Sequence, residues 1–311
     1  MKVLIVGAGA MGSRFGLALA KGGAEVTLFD INREHTEAIN QKGLEVHADG
    51  KVSVEKIPAI SGIEGSGGFT HLFIFTKSIH TRAAMETIRP LIKDDTVLVT
   101  LQNGLGNIEA IREAAPRSPI IAGITNYPAV YLGPGVIRAD GSGITRFQAL
   151  DGADPAPALG FADVLHRGGM EADVVDNILH HIWGKVAFNA AMNTITSLTG
   201  LSVGLLGSTP ESLTMAFNVA KDVALAARAR GIDLSDEEVC DSLRSVLKPG
   251  MSSGHYPSMF QDVSAGRKTE VETICGKVLE TAEQYKIKTP YLHSVYLLIR
   301  AIEDNYPNRK H

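Results

Sequence analysis

Cysteine is nearly absent from this chain: in 311 residues only Cys240 and Cys275 occur, both inside helical patterns. That excludes a disulfide framework and offers no zinc-ligand spacing, so no metal site is expected. Long apolar runs are missing too. No stretch approaches the roughly 20 apolar residues of a membrane-crossing helix, and no membrane partner is expected. Nor is there an excess of positive charge. The 30 Lys+Arg against 34 Asp+Glu leave a net charge of −4, which gives nucleic acid or an anionic membrane surface nothing to hold. Internal repeats and low-complexity tracts are absent. The first residues enter an apolar strand at once, which leaves no room for a signal peptide and points to a cytoplasmic protein.

What remains is an ordinary globular composition, 44% hydrophobic and 21% charged, in a length that suggests two domains. The stretch Met1 to Asp30, MKVLIVGAGAMGSRFGLALAKGGAEVTLFD, organises the first. Lys2 to Val6 is a short β-branched apolar run, the pattern of a strand buried on both faces. Gly7, Gly9 and Gly12 follow in a G-x-G-x-x-G frame, and an apolar helical pattern runs on through Ala20. Gly7 permits a tight turn, Gly9 lets the backbone approach a pyrophosphate, and Gly12 lets helix pack on strand. The helix start adds unpaired N–H groups and a partial positive charge. A second strand, Glu25 to Phe29, ends in Asp30, near the spacing of an acid that grips the adenosine ribose. A carboxylate there accepts hydrogen bonds from the ribose 2′-OH and repels a 2′-phosphate, so NAD(H) is favoured over NADP(H). Arg33, close behind, reads as an exposed helix-start residue; swung inward, it would instead accommodate that phosphate.

Arg33 to Lys42 reads as a helix closed by Gly43, Gly62 to Gly68 as a loop, and His71 to Thr76 as a central strand. Lys77 then falls at a strand C-terminus, where open α/β sheets bind their ligands. Contact with cofactor or substrate and a plain solvated strand-end charge are both open readings of it. Thr96 to Leu101 is the next strand, followed directly by Gln102-Asn103-Gly104-Leu105-Gly106. Asn103 is placed to orient a polar ligand, although Asn-Gly is also ordinary turn chemistry. Ile120 to Thr125 gives another strand and Val136 to Ala149 reads as a β-hairpin. A helix from Pro157 to Arg167 leads to a last strand near Ala172 to Val175. The expectation is an α/β fold: an N-terminal Rossmann dinucleotide-binding domain over residues 1–175 and a C-terminal all-helical domain over residues 176–311. The second domain would serve substrate binding, with a homodimer left open.

Beyond Asp176 strand patterns give way to long helical ones. Asn177 to Leu198 is mostly apolar yet carries Lys185, Asn189 and Asn193, which their four-residue spacing places on one helix face. Val186, Ala187, Phe188, Ala190, Ala191 and Met192 around them leave no charged outer face, so the stripe is expected to line a wet cleft. Glu211 to Arg230 and Asp236 to Leu247 are further helices, the second N-capped by Ser235. Ser258 precedes a helical start and is placed to cap it. Asp262 and Glu270 sit near a turn and a helix start, which favour carboxylates anyway.

Over essentially its whole length the chain resembles the ketopantoate reductase (2-dehydropantoate 2-reductase) family. The resemblance rests on GAGAMG at Gly7–Gly12, the strand-end Lys77, QNGLG at Gln102–Gly106 and LGPG at Leu132–Gly135. It rests further on WGKVAFNAAMN at Trp183–Asn193, HYPSMFQDV at His255–Val263 and RKTEVETICG at Arg267–Gly276, which are the more specific motifs. It implies NAD(P)H-dependent reduction of a 2-oxo acid to an (R)-2-hydroxy acid, ketopantoate to pantoate in pantothenate and coenzyme A biosynthesis. Carried over, it makes Lys185 the general acid and Glu270 the carboxylate that completes the site. Asn103, Asn189, Asn193 and Ser258 become substrate ligands. Gly7, Gly9, Ala10, Met11, Gly12, Asp30, Lys77 and Asn103 become cofactor contacts.

Two departures keep a second substrate class open. NADPH-using members tend to carry a basic residue where this chain has Asp30, and their polar stretch after the strand at Ile120 is here Asn126-Tyr127-Pro128. Both features look like the NAD-dependent D-2-hydroxyacid dehydrogenases of the same fold, which act on branched or aromatic 2-oxo acids. A regulator that senses nicotinamide without chemistry would be expected to lack Lys185 or Glu270, and both are present.

Overall fold

The computed structural model describes residues 1–247 and 254–308. They pack as two compact units: Met1–Gln102 with Asn107–Ile178, and Asn103–Gly106 with the described residues from Leu179 onward. The short loop after the strand at Val97 thus groups with the second unit, which a single break near Val175 does not anticipate.

The first unit carries β1 (Lys2–Val6), β2 (Glu25–Phe29), β3 (Leu44–Ala48), β4 (Lys51–Glu55), β5 (Ala59–Ile60) and β6 (His71–Ile74). It continues with β7 (Val97–Thr100), β8 (Ile120–Thr125), β9 (Val130–Gly133), β10 (Val136–Arg138), β11 (Ile144–Ala149) and β12 (Glu171–Val174). Eight of these form one sheet in the order β12-β11-β8-β7-β6-β1-β2-β5. All its pairings are parallel except that of β11 with β8. The chain steps from β1 to β2 and β5 on one side, then crosses to β6, β7 and β8 on the other. The reversal at β1 is the switch point at which doubly wound sheets bind ligands, beyond the C-terminal strand ends. Val3 and Ile5 pack into one core with Phe15, Phe73 and Phe161, while Leu4 and Val6 pack into a second with Leu72, Ile74 and Met85. A strand buried on both faces has no polar face to alternate with, hence its uniformly apolar sequence.

A smaller sheet runs β4-β3-β10-β9. Here β10 pairs with β3 and β9, whereas β11 pairs with β8 and β12. Val136 to Ala149 is therefore not a hairpin but two strands in different sheets. Alternation reports that a segment is half-buried, not which partner it pairs with. Strand β6 also stops at Ile74, so Lys77 stands beyond the strand end, at the start of a short 3₁₀ turn over Ser78–His80.

The second unit has helices and connecting loops and no strand among its described residues. Its helices are Ile178–Thr199, Val203–Gly207, Pro210–Ala229, Asp236–Val246, Ser258–Ser264, Lys277–Gln284 and Pro290–Glu303, and a π-helical turn at Glu272–Gly276 leads directly into Lys277–Gln284. Ser235 and Glu238 form a reciprocal capping box at the start of Asp236–Val246. Asp222, in Pro210–Ala229, accepts the Leu292 N–H at 2.9 Å and so caps Pro290–Glu303. Burial pushes its pKa up, while the Leu292 and Tyr291 amides oppose the shift. Ser258 is no cap: it is the first helical residue of Ser258–Ser264, Pro257 holds the cap position, and no side chain bonds the helix end. A proline before it sets the extended backbone that a cap needs, and this displaces the serine by one position. Cys240 and Cys275 are free and buried. Among the described residues no cluster of His, Cys, Asp and Glu could hold a metal, and no helix is long and apolar enough to cross a membrane.

Candidate active site

The glycine turn follows β1 at the switch point, and its three glycines answer to different demands. Gly7 has φ +96°, and a Cβ there would lie 2.7 Å from the Thr76 backbone nitrogen. A Cβ on Gly12 would lie 2.0 Å from the Gly7 carbonyl oxygen. Both are required by the protein's own backbone. Gly9 is not: it has φ −60° and extended ψ at the helix cap, and a Cβ there would meet nothing within 4 Å. Glycine at this position leaves room for something that is not protein. The N–H groups of Gly9, Ala10, Met11 and Gly12 open the helix Ala10–Lys21, where intrahelical partners are lacking by geometry. Open space beside a row of amide donors fits a pyrophosphate.

Asp30 directly follows β2. Its Oδ1 accepts the Asn32 N–H at 2.9 Å, and Asn32 in turn caps the helix Arg33–Lys42 by accepting the His35 N–H at 3.2 Å. The carboxylate is thereby fixed at the strand end. Arg33 is exposed at the first helical position. Lys77 is exposed on the loop after β6. Behind it, Gln102 Nε2 donates to the Thr76 carbonyl at 2.7 Å and to Thr81 Oγ1 at 2.9 Å, while its Oε1 accepts from Thr100 Oγ1 at 2.9 Å. This network braces the ends of β6 and β7. Read from sequence as part of a turn motif, Gln102 is a structural tie.

Two further residues of this unit escape sequence reasoning. His35 is 1% exposed and Ser13 is fully buried. Both bond the Ala8 carbonyl inside the glycine turn, His35 Nε2 at 2.8 Å and Ser13 Oγ at 2.7 Å. A histidine on a polar helix reads as exposed, and only its distant partner Gly135 explains its burial.

In the second unit Lys185 and Asn189 are partly exposed on the helix Ile178–Thr199, whereas Asn193 is buried, at 4% exposure. Although Lys185 keeps some surface, protein around its ammonium lowers its pKa to about 8 through desolvation, and Glu270 pulls it back up. Glu270 is partly buried, and its carbonyl accepts the Thr273 and Ile274 N–H groups at 3.1 and 3.0 Å as the chain enters the π turn. Such turns recur at functional sites. The Asn103–Gly106 loop lies on the same segment: Leu105 N–H donates to the Thr273 carbonyl at 2.8 Å. A Cβ on Gly104 would meet Thr273 Oγ1 at 2.7 Å. The structure thus couples Lys185 to Glu270 and seats the Asn103 loop beside the same segment. Ser258 is exposed, and its side chain makes no hydrogen bond among the described residues.

A dinucleotide turn at a Rossmann switch point and a desolvated lysine coupled to a carboxylate are the working parts of a nicotinamide-dependent oxidoreductase. The chain belongs to the ketopantoate reductase family: residues 3–152 match Ketopantoate reductase PanE/ApbA and residues 177–303 match Ketopantoate reductase PanE/ApbA C terminal. It is 32% identical over 310 residues to the 2-dehydropantoate 2-reductase of Lactococcus lactis subsp. lactis (strain IL1403), covering 98% of each chain. It is 33% identical over 311 residues to the 2-dehydropantoate 2-reductase of Pyrococcus horikoshii, covering 97% of this chain and 98% of that one. A solved D-mandelate dehydrogenase, in ternary complex with NADH and anilino(oxo)acetate, is 34% identical with a TM-score of 0.93, covering 98% of this chain and 99% of that one.

Proposed function

We propose that this protein reduces ketopantoate to pantoate with NADH as its preferred cofactor. The observation that carries the reading is Lys185, an ammonium whose pKa desolvation brings down to about 8 against the pull of Glu270. Reduction of a 2-oxo acid takes up one hydride and one proton. The nicotinamide, when bound, supplies the hydride. Negative charge then develops on the C2 oxygen, and Lys185 supplies the proton. A pKa near 8 keeps most of the lysine charged at pH 7 while making its proton easier to give than that of an exposed lysine. Glu270 holds that balance. Asn103, Asn189 and Asn193 are assigned to the substrate's carboxylate and hydroxyl groups, with Ser258 as a further substrate ligand. Asp30, fixed by Asn32, is assigned to the ribose diol, which supports NADH over NADPH.

The 2-dehydropantoate 2-reductases above support the substrate. A second reading, reduction of aromatic or branched 2-oxo acids by a D-2-hydroxyacid dehydrogenase, is favoured by the likeness to D-mandelate dehydrogenase. A kinetic panel of ketopantoate, 2-oxoisovalerate and phenylglyoxylate with NADH and with NADPH separates them. The highest kcat/KM for ketopantoate with NADH is expected. A clear preference for phenylglyoxylate replaces the first reading with the second, and no turnover of any 2-oxo acid defeats both.

A further inference from the structure

His35 joins two pieces of the first unit that are distant from it in sequence, the glycine turn and the segment from Tyr131 to Gly135. Its Nδ1 lies 2.9 Å from the Gly135 nitrogen, and a backbone N–H can only donate, so Nδ1 is the acceptor. The ring hydrogen is therefore on Nε2, which donates to the Ala8 carbonyl at 2.8 Å. Ser13 Oγ donates to the same oxygen at 2.7 Å. The edge of the ring contact is closed by Tyr131, whose ring centroid is 5.2 Å away at 65°. His35 N–H also bonds Asn32, the residue that fixes Asp30.

Two donors on one carbonyl deep in a glycine turn have a directional consequence. The Ala8–Gly9 peptide is trans, as are all those described, so its N–H points opposite to its C=O. Turning the Ala8 oxygen toward His35 and Ser13 turns the Gly9 N–H the other way, out of the packed interior. Glycine makes this peptide the easiest in the turn to flip, and a flip would present a carbonyl oxygen to an anion. We propose that His35 is a positioning residue for the cofactor: with Ser13 it locks the Ala8–Gly9 peptide so that the Gly9 N–H faces the pyrophosphate. The proposal rests on the assignment of that turn to a dinucleotide.

The two ring nitrogens can be separated by substitution. In His35→Asn the side-chain oxygen can replace Nδ1 toward Gly135, and the donor to Ala8 is lost. In His35→Gln the amide nitrogen can replace Nε2 toward Ala8, and the acceptor for Gly135 is lost. Affinity for NADH and for ADP-ribose, which carries the pyrophosphate without the nicotinamide, is measured by calorimetry alongside the Tm of each unliganded variant. The expected result is a five- to tenfold weaker Kd for both ligands in His35→Asn, about the worth of one buried hydrogen bond. His35→Gln should bind within twofold of wild type. The KM for NADH should follow Kd, while kcat at saturating NADH changes less than threefold. Equal affinities for the two variants, whether both like wild type or both reduced in step with Tm, would make His35 packing only and overturn the proposal. Should His35→Asn fail to fold, Ser13→Ala removes the other donor from a buried site with little change of shape; wild-type affinity for ADP-ribose there overturns it equally. A wild-type protein that binds neither ligand defeats the cofactor assignment itself, a separate result.

Discussion

Glu270→Gln tests the Lys185 assignment without removing the acid. The Lys185 pKa of about 8 is a balance in which desolvation lowers it and the Glu270 charge raises it, desolvation being the larger. Glutamine keeps the size and removes the charge, leaving desolvation unopposed. An opposite charge at close range is worth roughly one pKa unit or more, about 1.4 kcal/mol per unit, so the pKa should fall toward ~7. Reduction needs the ammonium, hence its rate is full below this pKa and falls tenfold per pH unit above it. At pH 8 the protonated share would drop from about half to about one tenth, and the rate to roughly a fifth. The assay is kcat/KM for ketopantoate between pH 6 and 10, followed by NADH absorbance, since that parameter reports groups of the free enzyme. The wild-type alkaline limb should bend near pH 8 and the variant's about one unit lower. A limb that stays in place or moves upward would refute the reasoning: either Lys185 is not the titrating acid or Glu270 does not face it.

Lys185→Ala should lower kcat by roughly 10²-fold or more, the worth of a positioned acid, with the Kd for NADH almost unchanged by calorimetry; loss confined to KM would mark it as a carboxylate anchor instead. Asp30→Ala should narrow or invert the preference for NADH over NADPH in kcat/KM, and a wild-type enzyme that prefers NADPH would sink that argument. His71 governs acid stability: its Nε2 is buried without a hydrogen-bond partner, and burial, with the N-terminal charge, lowers its pKa from 6.5 to about 4. The unfolded chain takes up the proton first as pH falls, so this stabilisation is whole above pH ~6.5 and is lost progressively toward pH ~4. Tm measured across that range should fall less steeply in His71→Gln than in wild type.

The parts of this molecule that could be read in sequence are those whose cause is local. MKVLIVGAGAMG shows strand, turn and helix because burial on two faces, left-handed backbone and tight helix packing each select residues within a few positions. Lys185, Asn189 and Asn193 share a stripe for the same reason, a fixed helical period. What could not be read depends on partners far along the chain. Whether Val136 and Ile144 begin one hairpin or two sheets is decided by their partner strands, β3 at Glu45–His47 and β8 at Ile121–Thr125, which no spacing discloses. His35 owes its burial to Gly135, a hundred residues away. The Asn103 loop owes its place to Thr273. Ser258 missed the cap by one position because proline claimed it, a competition settled by backbone geometry and not by side-chain preference.

The unequal demands on the three turn glycines also fix how this sequence can drift. Gly7 and Gly12 are held by the fold, so any descendant that still folds must keep them, whatever it binds. Gly9 faces open space with a backbone conformation any residue can adopt. Only an occupant of that space selects against a side chain there. A lineage that gave up its dinucleotide would therefore lose the middle glycine first and keep the outer two. A G-x-A-x-x-G or G-x-S-x-x-G relic on this scaffold would record the loss of a ligand, not of a fold.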